Sequence, residues 1–185
     1  VFVSQPGITP DPHEVILSPD NSKLFVTCQN TNEVRVIDVN TLQLIKVLNV
    51  GSTPKELAIS HYRPSPGAAV LPYVFVSCQE DPNSSPRTKG SVYVFNYETL
   101  NFVAKLDENM YQPHGVSVDD ERGLLYVASI NSDANGPAPH HPSVTGGRNG
   151  YYSVYDINTM KLAPATRYEV TEFPYSSDAR FKGNR

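Results

Sequence analysis

The sequence predicts an all-β chain built from repeated four-stranded antiparallel units, and three observations carry that prediction. A short strand–turn–strand pattern occurs three times, each copy has an apolar strand upstream of it, and each unit opens on a proline. Composition agrees. The 11 Tyr and 7 Phe, against 2 Met and no Trp, suit pleated faces on which aromatic and β-branched side chains pack. The 16 Pro and 11 Gly supply turns and work against long helices. No window shows a sustained helical period with start and stop signals.

The repeated pattern reads Val36-Ile37-Asp38-Val39-Asn40-Thr41-Leu42, Val94-Phe95-Asn96-Tyr97-Glu98-Thr99-Leu100 and Val154-Tyr155-Asp156-Ile157-Asn158-Thr159-Met160. Each is the end of one strand, a tight turn and the start of the next. Asp38, Asn96 and Asp156 are short polar residues that can bond backbone N–H groups two residues on, which favours the turn. Upstream lie the strands Leu24–Cys28, Val74–Cys78 and Leu125–Ser129. Before those come strands introduced by Pro12, Pro54 and Pro113, and a proline at a strand's first residue breaks no ladder. A fourth strand follows each turn, over 42–50, 100–106 and 160–170. The units are expected over 12–53, 54–112 and 113–173 of one domain spanning 1–185, with Pro174 opening a further unit over 174–185. Four strands in a unit of roughly 40–45 residues, enlarged by insertions, is a propeller blade.

These residues resemble the YVTN β-propeller repeats, the group that includes surface-layer and YncE-like proteins. The Pro-His openings carry the resemblance, with Ser18-Pro19-Asp20, strands such as Leu24-Phe25-Val26-Thr27, the Val36-Ile37-Asp38 turn and Val50-Gly51. It covers about residues 12–171. The resemblance implies seven blades, of which three stand here, so the chain is expected to be part of a larger ring. Val1-Phe2-Val3 reads as mid-strand. Closure by oligomerisation is the alternative. The resemblance also implies a periplasmic or cell-surface location and a protein or cell-surface partner.

Charge and hydropathy exclude two classes. A net charge of −4 argues against a nucleic-acid surface, which needs a basic patch. No run of 18 apolar residues is present to span a membrane as a helix. Cys28 and Cys78 fit no metal or redox spacing and occupy the same position in successive units. Neighbouring blades hold such positions too far apart for a disulfide, so two small buried thiols are expected.

With the first strand of each blade innermost, antiparallel order puts the openings of the units and the links between second and third strands on one face. Those links lengthen along the chain, over about 30–32, 80–90 and 131–150. Long links without secondary structure of their own are usually functional or disordered. The insertion at 61–72 joins first and second strands and falls on the opposite face, as does the acidic turn Asp119-Asp120-Glu121, read as solvated.

Six residues on the working face are candidate ligand contacts: His13, Lys55 and His114 at equivalent rim positions, and His140, His141 and Arg148 in the third link. The structural reading of the rim residues is hydrogen bonding to a neighbouring blade, and that of the link is an ordered loop over the channel mouth. The functional reading is metal binding by His13, His114, His140 and His141, because neutral imidazole is a common copper and zinc ligand. Propellers of the nitrous oxide reductase type are similar in holding a copper cluster with histidines at the channel mouth, though Lys55 interrupts the ring here. A haem propionate on His140, His141 or Arg148 is the related possibility.

No nucleophile elbow, phosphate loop, His-Glu-x-x-His or Cys-x-x-Cys-His motif occurs. The expectation is therefore an extracytoplasmic binding or scaffold module, more a binder than an enzyme, with no cofactor. Its alternatives are a copper- or haem-dependent redox subunit and a hydrolase resembling the seven-bladed lactonases.

Overall fold

A computed structural model describes residues 9–82, 90–108, 110–131, 149–172 and 174–178. His140, His141 and Arg148 lie outside the described residues. The described residues form twelve strands, β1 (Pro12–Leu17), β2 (Lys23–Cys28), β3 (Glu33–Asp38), β4 (Leu44–Asn49), β5 (Ser52–Ile59), β6 (Tyr73–Glu80), β7 (Ser91–Asn96), β8 (Phe102–Leu106), β9 (Pro113–Asp119), β10 (Leu124–Ser129), β11 (Asn149–Asp156) and β12 (Lys161–Glu172). They make three four-stranded antiparallel sheets, each a meander in chain order. The described residues are all-β, as the sequence predicts, and form no closed ring.

The recurring turn is built the same way each time. Asp38 Oδ1 accepts the Asn40 and Thr41 amides at 2.9 and 2.8 Å, and Asn96 Oδ1 accepts those of Glu98 and Thr99 at 2.9 and 2.8 Å. Asp156 Oδ1 accepts the Thr159 amide at 2.7 Å. The chain then leaves through a left-handed residue, Leu42 (φ 57°), Leu100 (φ 58°) or Met160 (φ 55°). The amides of these three residues close back on the carbonyls of Asp38, Asn96 and Asp156.

Strand alternation makes the core. Ile16, Phe25, Val34, Val36 and Leu48 of the first sheet pack on Leu57, Val74, Val76 and Phe95 of the second. The other face of the second sheet presents Ala58, Phe75, Val92, Val94 and Leu106 to Val116, Leu125, Val127 and Tyr155 of the third. Each sheet thus has a leading face toward the next and a trailing face toward the one before, and the middle sheet is buried on both. Val15 (57 % exposed) and Leu17 (45 % exposed), on the trailing face of the first sheet, have no sheet against them among the described residues. Cys28 and Cys78 are buried free thiols, as expected. Burial pushes both thiols up.

A bulge after the opening proline repeats as well, with register breaks between Pro12 and Val15 and between Pro54 and Leu57. It removes the Glu14 and Glu56 amides from the ladder, and hydroxyls on the neighbouring strand take them over. Glu14 N–H donates to Thr27 Oγ1 and Glu56 N–H to Ser77 Oγ, both at 2.9 Å. The same hydroxyls donate forward into the next sheet, Thr27 to the Lys55 carbonyl at 2.8 Å and Ser77 to the His114 carbonyl. Each seam between sheets is therefore clasped by one side-chain oxygen. Pairing of Thr27 with Val34, Ser77 with Val92 and Ala128 with Tyr152 makes Ala128 the third member of this set, and it has no hydroxyl.

Glycines at the start of the third strands let the next unit close in. A Cβ on Gly90 (φ +126°) would lie 2.2 Å from Pro113 Cδ, and one on Gly150 would lie 2.4 Å from Pro174 Cδ. Pro174 thus meets the third sheet as Pro113 meets the second.

Candidate functional site

The register brings the openings of the units and the second-to-third links to one face. Pro12 pairs with Cys28, which pairs with Glu33, which pairs with Asn49; Pro54 pairs with Cys78, which pairs with Ser91. His13, Lys55 and His114 all follow an opening proline on this face, and Tyr175, after Pro174, takes the fourth place.

The rim is knitted across the seams. The His13 and His114 rings, from the first and third sheets, meet edge to face with centroids 5.3 Å apart and planes at 69°. The Tyr175 ring stands edge to face on the other side of His114, at 5.0 Å and 88°. His114 Nδ1 lies 2.8 Å from the Tyr175 carbonyl and 3.2 Å from Glu56 Oε1. A carbonyl can only accept, so Nδ1 carries the proton and Nε2 is the basic nitrogen of the neutral ring. Lys55 Nζ donates to Gln29 Oε1 at 2.6 Å, and Gln29 Nε2 donates to Asp11 Oδ2 at 2.6 Å. Partial burial lowers the pKa values of both Lys55 and His13; the Lys55 charge and then that of His114 lower His13 further, while the Asp11 carboxylate opposes the effect at Lys55.

One residue further along each inner strand lies a row that sequence reasoning did not select, Glu14 and Glu56. The Glu14 carboxylate accepts the Leu57 amide of the second sheet, just as Glu56 reaches His114 of the third. Burial pushes Glu14 up from 4.5 to about 7; the Leu57 hydrogen bond opposes this, and the nearby Glu56 charge adds to it. The signal was present, since both glutamates stand two residues after an opening proline. The third unit has Gly115 there, where a Cβ would lie 2.7 Å from the backbone of Ser176 and Ser177.

Of the predicted site residues, the structure brings His13 and His114 into direct contact and sets Lys55 between their strands. His114 is held through Nδ1 by Glu56 and Tyr175, and its ring stands edge to face against those of His13 and Tyr175. Among the described residues, no group of three or more His, Cys, Asp or Glu side chains is placed to hold a metal ion. No described helix is long and apolar enough to cross a membrane.

No family model and no curated protein matches the chain. Solved structures do. Hydrazine synthase of Kuenenia stuttgartiensis is similar with a TM-score of 0.61 at 19% identity, over 94% of this chain and 41% of that one. U3-55K gives 0.60 at 11% identity, over 94% and 45%. A chain of a nidogen/laminin complex gives 0.57 at 12% identity, over 89% and 51%. The chain spans about two fifths to one half of these structures, and at such identities the likeness is one of fold alone.

Proposed function

We propose that this chain is a stretch of a YVTN-type β-propeller that works as an extracytoplasmic binding or scaffold module. Its partner, a protein or a cell-surface component, would meet the face on which the inner strands begin. The observation that carries this reading is the repeated rim of His13, Lys55, His114 and Tyr175, on the same face as the three links between second and third strands. Four-stranded meanders stacked face to face in chain order, and the likeness in fold to parts of larger chains, support the propeller reading. A rigid scaffold that gathers loops and polar side chains at one end is a common way to build a binding surface. A periplasmic or cell-surface location belongs to the same proposal and rests on the repeat resemblance.

The test compares two triple variants of the full-length protein, His13→Ser with Lys55→Ser and His114→Ser on the rim, and Asp20→Ser with Glu98→Ser and Thr159→Ser at the other end of the sheets. Both are checked for native circular dichroism and assayed for retention of the partner that co-purifies with the unaltered protein from the cell envelope. Loss of that partner with the rim variant alone supports the reading. Equal retention by both overturns it.

A further inference from the structure

Three cations of the described residues rest against carboxylates: Arg35 on Glu33 at 2.7 Å, Lys105 on Asp107 at 3.0 Å and Arg122 on Asp119 at 2.7 Å. Lys55 does not, having no carboxylate within ion-pair distance among the described residues. It is half-buried on β5, the inner strand of the middle sheet, and the inner strands β1 and β9 pack on either side. Its Nζ donates to the neutral amide oxygen of Gln29 at 2.6 Å, and Gln29 Nε2 donates to Asp11 Oδ2 at 2.6 Å. Gln29 therefore fixes the ammonium without neutralising it. Asp11 stands one link behind, where its charge offsets only part of what burial does to Lys55.

A cation held in place with its charge uncompensated is a receptor prepared for an anion, since little ordering is left to do on binding. His13 adds to it. Burial lowers that ring first, the Lys55 charge second and His114 third, while Glu56 and the Lys55 carbonyl favour its proton. An anion reaching Lys55 would draw a proton onto the exposed His13 ring as well and gain a second donor. The surroundings limit the charge of that anion. Glu56, bound to His114, and Glu14, raised by burial to about 7, lie one residue further along the same inner strands. A phosphate monoester, at about −1.5 to −2 near neutral pH, would be repelled by them more than a single carboxylate.

We infer that Lys55 and His13 receive a singly charged carboxylate group of the ligand that meets this rim. The inference rests on the reading of the rim as a binding face and adds the chemistry of what that face takes. A free organic acid and the acidic side chain of a peptide both carry such a group, and the test separates them.

The test follows the His13 ring signal of the full-length protein by NMR, near neutral pH and at constant ionic strength. The probes are acetate, its neutral isostere acetamide, methyl phosphate, and a glycyl-aspartyl-glycine peptide blocked at both ends. Acetate should shift the signal saturably and acetamide should not. Lys55→Met keeps the stem and removes the charge, and should weaken acetate binding about tenfold, as expected for loss of one charge-assisted hydrogen bond. If that variant does not fold, Lys55→Gln takes its place. Tighter binding of the peptide than of acetate supports a peptide-borne carboxylate; the reverse order supports a free acid. Four outcomes overturn the proposal: acetate gives no saturable shift, acetamide matches it, the folded Lys55 variants bind acetate unchanged, or methyl phosphate binds more tightly. Saturable acetate binding by a protein whose triple rim variant still retains its partner would instead sink the binding-face reading alone.

Discussion

Ser77 donates its hydroxyl to the backbone carbonyl of His114 while accepting the amide of Glu56, so one small side chain holds the bulge of its own sheet and the inner strand of the next. Thr27 does the same one unit earlier. Both are fully buried, and a buried amide and carbonyl left without partners cost about 1–3 kcal/mol. Ser77→Ala and Thr27→Val should each lower stability by about that amount, whereas Thr27→Ser should be nearly neutral. Urea unfolding checks this, and a loss for Thr27→Ser as large as for Thr27→Val would count against the clasp.

His114 sets up a second test. Its Nδ1–H serves Glu56 and the Tyr175 carbonyl, a position that the amide of an asparagine can imitate. His114→Asn should keep most of the stability, while His114→Leu, which keeps bulk and loses the donor, should cost about 1.5–3 kcal/mol because one acceptor is a carboxylate. Equal losses would show that the ring's packing against His13 and Tyr175 matters more than its proton.

Glu14 predicts a pH dependence. Its folded value is raised from 4.5 to about 7, so between those values the folded chain holds a proton that the unfolded chain has released. This contribution is fully present below the unfolded value, and stability falls as pH rises from 4.5 through about 7 before levelling off. His13, lowered by burial and by Lys55, acts in the opposite sense below 6.5. The measurement is therefore the difference between the unaltered protein and Glu14→Gln. Urea midpoints across this range should converge toward the acid side and separate above neutrality, with the glutamine variant the more stable.

The left-handed turn residues give a paired prediction. Leu42 and Leu100 share the same backbone, but Leu42 is 57 % exposed and Leu100 only 6 %. Left-handed backbone costs a residue with a Cβ about 1–2 kcal/mol, and glycine escapes it while losing more entropy on folding. Leu42→Gly should therefore be neutral or stabilising by about 1 kcal/mol. Leu100→Gly should destabilise, because about 1.5–3 kcal/mol of apolar burial goes with the side chain. A clear fall in melting temperature for Leu42→Gly as well as for Leu100→Gly would show that backbone strain does not govern this turn.

Much of the architecture was legible because its cause is local and repeated. The Asp38, Asn96 and Asp156 turns announce themselves, and the unbroken run of apolar and small residues from Val74 to Cys78 marks a strand, which the structure buries on both faces. The opening prolines placed His13, Lys55 and His114 on one face correctly, since that follows from strand order alone. What lay across a seam was not legible. Nothing near Glu14 in sequence says that its carboxylate meets Leu57, or that Glu56 meets His114; those pairings depend on how one sheet sits on the next.

The missing hydroxyl at Ala128 gives the chain a direction of failure. Tension or heat that pries the sheets apart meets a latch at Thr27 and another at Ser77. Between the third sheet and residues 174–178 the inner-strand latch is absent, and the rings of His114 and Tyr175 and the paired Ser117 and Ser177 stand in its place. Opening should begin at that end and travel backward, sheet by sheet, so that the first two seams remain shut after the third has let go.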